Sequence, residues 1–139
     1  DMPAPAYNYD LKAMRAAVNE KTRIVFLANP NNPTGSDLTA KEILDFADSL
    51  PETCVLVMDE AYTEFIEDTP ELVPDFKSRI DAGRNIICCR TFSKIYGLAG
   101  LRVGYCITRP EIVGLINRIR EPFNVNSIAQ AAAIGAIDD

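Results

Sequence analysis

The chain's 139 residues are the size of one ordinary domain, and its 47% hydrophobic and 24% charged content is that of a globular protein able to bury a core. A formal net charge of −6 argues against general binding to nucleic acid or to an anionic membrane, both of which want a basic excess. The absence of histidine excludes a histidine-based catalytic triad within the chain and most zinc-enzyme motifs, so no metal site is expected.

In chain order, Asp10 can cap a helix whose apolar face is Leu11, Met14 and Val18, and Arg23 to Ala28 follows as a β-rich run. Thr39 with Glu42 spells a capping box before Ile43, Phe46, Ala47 and Leu50, a stripe at helical spacing that stops at Pro51. Cys54 to Met58 is apolar without alternation, as in a strand covered on both faces. The acidic stretch from Thr63 to Arg84 has no clear period. Asn85 to Cys89 and Val103 to Ile107 read as further strands. Thr108 with Glu111 predicts a second capping box for Ile112, Leu115, Ile116 and Ile119, ended by Pro122. Ser127 to Ile137 is alanine-rich and predicted helical, with Asn126 as its cap.

This alternation implies an α/β fold with a mostly parallel sheet and helices on both faces, in which ligands gather at the carboxyl ends of the strands. No apolar run reaches membrane-spanning length, and Asp1 to Tyr9 lacks the parts of a signal peptide, so the expected setting is the cytoplasm. Cys54, Cys88, Cys89 and Cys106 lie in apolar runs without paired metal or redox spacing and are expected to act as small core hydrophobes.

Three stretches carry chemistry. Asn29-Pro30-Asn31-Asn32-Pro33-Thr34-Gly35 follows a strand; taken plainly it is a rigid turn, and taken functionally it aims the Asn32 amide at a ligand. At Asp59, a carboxylate ends an apolar strand and must be partnered, by an ion pair, a helix terminus or a ligand. Tyr62, three residues on, reaches the same side if the chain turns helically.

The third stretch runs from Arg90 to Tyr105 and sets Lys94 among hydroxyls, glycines and Arg102. The plain reading of Lys94 is a solvated loop residue; the sharper one is a reactive amine able to condense with a carbonyl. An extended chain would hold Lys94 and Arg102 up to about 26 Å apart. Gly97 and Gly100 permit a fold-back that brings amine and guanidinium onto one ligand, with Thr91 and Ser93 as donors suited to a phosphate. Arg90 and Tyr96 read as an ion-pair partner and a packing ring.

Together these stretches resemble the pyridoxal-phosphate-dependent aminotransferases of fold type I. The run Arg-Thr-Phe-Ser-Lys-Ile-Tyr-Gly-Leu-Ala-Gly-Leu-Arg-Val-Gly-Tyr and the string Asp-Glu-Ala-Tyr-Thr-Glu-Phe are most similar to the histidinol-phosphate branch. The resemblance runs over nearly the whole chain. It implies that Lys94 forms the Schiff base with pyridoxal 5'-phosphate and that Thr91, Ser93 and Arg102 hold the phosphate. It further implies that Asn32 and Tyr62 meet the phenolic oxygen of the cofactor ring, while Asp59 pairs with its protonated nitrogen.

The reaction so implied is transamination between an amino donor and a 2-oxo acid acceptor, histidinol phosphate and 2-oxoglutarate in histidine biosynthesis. An aromatic-amino-acid aminotransferase, a threonine-phosphate decarboxylase and an aminotransferase-like sensing module of a transcription regulator share the same constellation. Family members are larger and dimeric. Residues 1–139 are therefore expected to be the central part of a cofactor-binding large domain, without the small domain, in a homodimeric parent enzyme.

Overall fold

Four strands form one sheet in the order β1 (Ile24–Ala28), β2 (Val55–Asp59), β3 (Ile86–Thr91) and β4 (Gly104–Ile107). The computed structural model of the chain describes residue 2 and residues 7–138. β1, β2 and β3 run parallel, with Ala28 opposite Asp59 and Asp59 opposite Cys89. β4 returns antiparallel to β3, with Thr91 opposite Gly104. The mostly parallel α/β sheet expected from the sequence is what forms, and the apolar runs are its strands, shifted by one or two residues at their ends.

Helices α1 (Leu11–Ala17), α2 (Ala40–Ser49) and α3 (Lys77–Asp81) bring side chains into one core with Leu27 of β1, Leu56 and Met58 of β2, and Ile86 and Cys88 of β3. Leu27, Ile43, Leu56, Met58 and Ile86 are the largest fully buried side chains. Burying each contributes roughly 1.5–3 kcal/mol, so this row outweighs any single polar contact in the fold. Side chains alternate across a strand. The series Ile24 and Phe26 therefore points to the other face, where the two are 52% and 69% exposed.

Local signals set the helix ends. Asp10 accepts from the Ala13 amide at 2.9 Å to start α1. At α2 the Thr39 hydroxyl accepts from the Glu42 amide at 3.2 Å while Glu42 accepts from the Thr39 amide at 2.9 Å, which completes the predicted box. The far end of α2 is closed by Arg84, whose guanidinium donates to the carbonyls of Ala47, Asp48 and Leu50 at 2.7, 3.0 and 3.1 Å. That contact ties α2 to the entry of β3.

The hydrogen bonds from Thr39 hold the Glu42 carboxyl below its ordinary range. A depressed carboxylate contributes stability above its unfolded value and loses it as pH falls through the folded one. Thr39→Ala is therefore expected to cost about 1 kcal/mol at neutral pH. The loss should shrink below the carboxylate range. Urea unfolding of both forms at the two pH values reads it, and equal loss at both would show that the charge plays no part.

The second predicted capping box does not form. Helix α4 (Pro110–Ile119) has Arg109 at its N-cap position without a side-chain cap bond and Pro110 in its first turn, and the Thr108 hydroxyl instead donates to the Ile86 carbonyl at 2.6 Å. Proline suits the first helical position because its φ is already helical and it has no amide to leave unpaired, so it moves the start past Thr108. Helix α5 (Ser127–Ile137) starts as expected, with Asn126 accepting from the Ala129 amide at 2.8 Å. The unassigned stretch after Tyr62 holds 3-10 turns at Thr63–Phe65 and Pro70–Leu72 before α3. Cys54 and Cys88 are buried as expected, whereas Cys89 is half-buried and its cross-strand neighbour Cys106 is exposed.

Candidate active site

The parallel register puts three chain exits side by side. β1 leaves at Asn29, β2 at Glu60 and β3 at Phe92, and the ladder runs one rung further through bonds of 3.0 Å from the Asn29 amide to the Asp59 carbonyl and 2.9 Å from the Glu60 amide to the Cys89 carbonyl. Because β4 is antiparallel, its entry at Gly104 lies at the same edge. A Cβ at position 104 would sit 2.8 Å from the Arg90 carbonyl, so only glycine allows β4 to approach there.

The turn after β1 is built by its own polar groups. The Asn31 amide donates to the Ser36 carbonyl and the Gly35 amide to the Asn31 carbonyl, each at 2.8 Å, with Gly35 at φ 68. The buried Asn29 accepts from the Leu38 amide at 2.8 Å. Asn31 donates to the Thr34 hydroxyl at 2.7 Å and accepts from the Tyr9 hydroxyl at 3.0 Å. With both neighbouring asparagines used inward, Asn32 is left facing out, and its amide donates to the Tyr62 hydroxyl at 2.9 Å.

Asp59 accepts from the Ala61 amide at 3.1 Å, which turns the chain so that Tyr62 swings back toward Asn32. Among the described residues Asp59 is in no ion pair; its neighbour Glu60 takes that role with Arg90, at 3.0 Å. Asp59 is exposed and Glu60 is 3% exposed, because alternation sends them to opposite faces. Phe65 is 61% exposed and lies tilted against Tyr62 with ring centres 6.1 Å apart.

Beyond β3 the chain closes on itself. Thr91 accepts from the Ser93 amide at 3.0 Å, the Gly97 amide donates to the Lys94 carbonyl at 2.9 Å, and the Leu98 amide returns to the Phe92 carbonyl at 2.9 Å. Gly97 takes φ 66 and so supplies the fold-back; Gly100 has open space around it and no left-handed backbone. Arg102 itself is left-handed at φ 54, directly after the 3-10 turn Ala99–Leu101. Its guanidinium donates to the Ser93 hydroxyl at 3.2 Å and to the Ala99 carbonyl at 2.8 Å. Lys94 is exposed, with its amine 5.1 Å from the centre of the Tyr62 ring. Tyr96 packs on Phe92 at 4.9 Å, the structural part expected of it.

Asn32, Tyr62 and Lys94 are therefore within reach of one another, and Ser93 and Arg102 form a second group on the same loop as Lys94, beside Thr91. Asp59 joins through the register, on the same face as Ala28 and Thr91. The arrangement offers an amide bonded to a phenol whose ring lies under an amine, a hydroxyl–guanidinium pair fit for an anion, and a carboxylate free of ion pairs among the described residues. Sequence reading passed over Tyr9 and Glu60. Tyr9 falls outside every motif; Glu60 could have been found from strand alternation, which turns it inward one step after Asp59.

The family model for aminotransferase class I and II matches residues 2–139. Histidinol-phosphate aminotransferase 1 of Dechloromonas aromatica is 51% identical over 99% of this chain and 37% of its own length. Histidinol-phosphate aminotransferase 2 of Ralstonia nicotianae is 51% identical over 100% of this chain and 37% of its own. The crystal structure of histidinol-phosphate aminotransferase from Sinorhizobium meliloti in complex with pyridoxal-5'-phosphate superposes with a TM-score of 0.86 at 45% identity, covering 94% of this chain and 35% of that one. The chain thus spans little more than a third of the length of these relatives. With the match running from residue 2 to the last residue and three motif-bearing loops at one sheet edge, the chain belongs to the aminotransferase class I and II family.

Proposed function

We propose that these residues are the central part of the large domain of a pyridoxal-phosphate-dependent aminotransferase. The amino donor is histidinol phosphate, the acceptor 2-oxoglutarate, and the parent enzyme is a cytoplasmic homodimer of histidine biosynthesis. The observation that carries this reading is the meeting of the Asn32–Tyr62 hydrogen bond with the Lys94 amine at one strand edge. Identity near 50% to histidinol-phosphate aminotransferases supports the choice of donor.

The donor set fits the cofactor. Ser93, Thr91 and Arg102 present two hydroxyls and a guanidinium to a phosphate, the arrangement in which a planar fork binds an anion best. Asn32 and Tyr62 present an amide donor and a hydroxyl to a ring oxygen. Asp59 would offer its carboxylate to a ring nitrogen, where the negative charge would favour the protonated form. Bound there, pyridoxal phosphate supplies the carbonyl that condenses with amines and the electron-poor ring that stabilises a carbanion.

The chain's own residues do the rest. With the cofactor bound, Lys94 Nζ would be the amine that holds it and the base placed to take the substrate α-proton and return it. Tyr62 lies under that amine and Asn32 fixes the Tyr62 hydroxyl, so the pair sets where the amine works. Arg102, whose guanidinium already meets the Ser93 hydroxyl, would hold the anionic end in place.

Mixing the full-length protein with pyridoxal phosphate, reducing with borohydride and mapping the modified peptide tests the assignment. Label confined to Lys94, with amino transfer from histidinol phosphate faster than from phenylalanine or threonine phosphate, is the expected result. Label scattered over surface lysines would sink the cofactor site; a different preferred donor would sink the substrate alone.

A further inference from the structure

We propose that the ion pair between buried Glu60 and half-buried Arg90 is a positioning device for the site. It clamps the carboxyl ends of β2 and β3 on the covered face of the sheet, and so fixes the separation between Asp59 and the Thr91–Lys94 loop on the opposite face. The inference rests on the function proposed above.

Glu60 is 3% exposed, and Arg90 Nε donates to its Oε2 at 3.0 Å. Glu60 continues the inward series Leu56 and Met58, as Arg90 continues Ile86 and Cys88. Each therefore lies next in sequence to a site residue that points the other way, Asp59 before Glu60 and Thr91 after Arg90. The bond from the Glu60 amide to the Cys89 carbonyl is the last rung between these strands among the described residues; beyond it the chains part into the Tyr62 turn and the Lys94 loop. The ion pair is the tie at that point of divergence.

Arg90 also carries the restraint onward. Its cross-strand partner is Tyr105, whose ring lies 5.6 Å from that of Phe92. Phe92 in turn receives the Leu98 amide that closes the Lys94 loop. Displacing Arg90 therefore loosens the base of the loop as well as the end of β2.

Stability is a weak reason for such a pair. Taking the Glu60 carboxylate, and with it most of the Arg90 guanidinium, out of water costs about what their attraction returns, and apolar replacements of similar volume are often neutral. Burial pushes the Glu60 carboxyl up, with the hydrogen bond and charge of Arg90 opposing it, so the carboxylate depends on its partner. What the pair supplies that two methionines could not is a fixed length and direction between two strand ends.

The test compares the full-length protein with the double variant Glu60→Met/Arg90→Met and with Arg90→Lys, which keeps the charge but loses the planar fork. The readouts are thermal unfolding, amide hydrogen exchange at residues 60 and 61 in the cofactor-free protein, and the rate of borohydride-trapped labelling of Lys94 by pyridoxal phosphate. Misplacement of a reacting group by an ångström costs up to about a hundredfold. The double variant is expected to unfold within a few degrees of the parent, exchange faster at residues 60 and 61, and trap at Lys94 at least about tenfold more slowly. Arg90→Lys should slow trapping by less.

Parental trapping and exchange in either variant overturns the proposal, as does a double variant whose only change is a lower unfolding temperature. Should the double variant not fold, the trapping rate of Arg90→Lys decides alone. A parent that fails to label Lys94 refutes the proposed function instead, and that outcome is separate because it needs no variant.

Discussion

In the full-length protein, Lys94→Ala is expected to lower transamination by at least about 10⁴-fold, because one substitution removes both the attaching amine and the proton carrier. Pyridoxal phosphate should still bind without a covalent bond, since Ser93 and Arg102 keep their contact and Asn32 keeps Tyr62 in place. Borohydride should then leave no label on the peptide that spans residue 94, while equilibrium dialysis still detects bound cofactor. Turnover at the parental rate would remove Lys94 from the mechanism. Complete loss of binding would show that the amine, and not the anion grip, carries affinity. The substitution is not expected to affect folding, because Lys94 is exposed and makes no ion pair among the described residues.

Asp59→Asn comes next in size. It keeps the side chain's shape and its bond from the Ala61 amide, and removes only the charge. Losing one preorganised electrostatic partner of a developing charge costs about 10²- to 10³-fold in rate. The expected signature is a fall in kcat of that order with weaker cofactor affinity and little change in unfolding midpoint. An unchanged kcat would mean that the carboxylate does not face the ring nitrogen. The neighbouring Glu60 cannot substitute, since alternation holds it on the covered face against Arg90.

The strands were legible because apolar runs bounded by turn residues have few other uses, and the α2 box because its two bonds are local to four residues. The Thr108 box failed for a local reason as well: Pro110 competes for the first helical position, and a hydroxyl next to β3 finds a carbonyl there. The residues proposed for the site stood out in the sequence because an amine, a carboxylate and a turn amide at strand ends invite a chemical purpose that composition alone would not explain. Glu60–Arg90 was not legible in the same way, since a pairing across thirty residues depends on the β2–β3 register. Nor was the run after Tyr62, where two 3-10 turns carry no period long enough to detect.

Arg102 combines a left-handed backbone at φ 54 with the guanidinium that reaches Ser93. A non-glycine residue in that conformation gives up about 1–2 kcal/mol relative to the right-handed form. For the backbone alone glycine is the better choice, and for the ligand alone arginine is. A redesign of this chain scored only on backbone conformation would therefore write glycine at position 102 and erase the proposed anion clamp in the same step. Optimising the fold and preserving its chemistry are opposed objectives at this one residue.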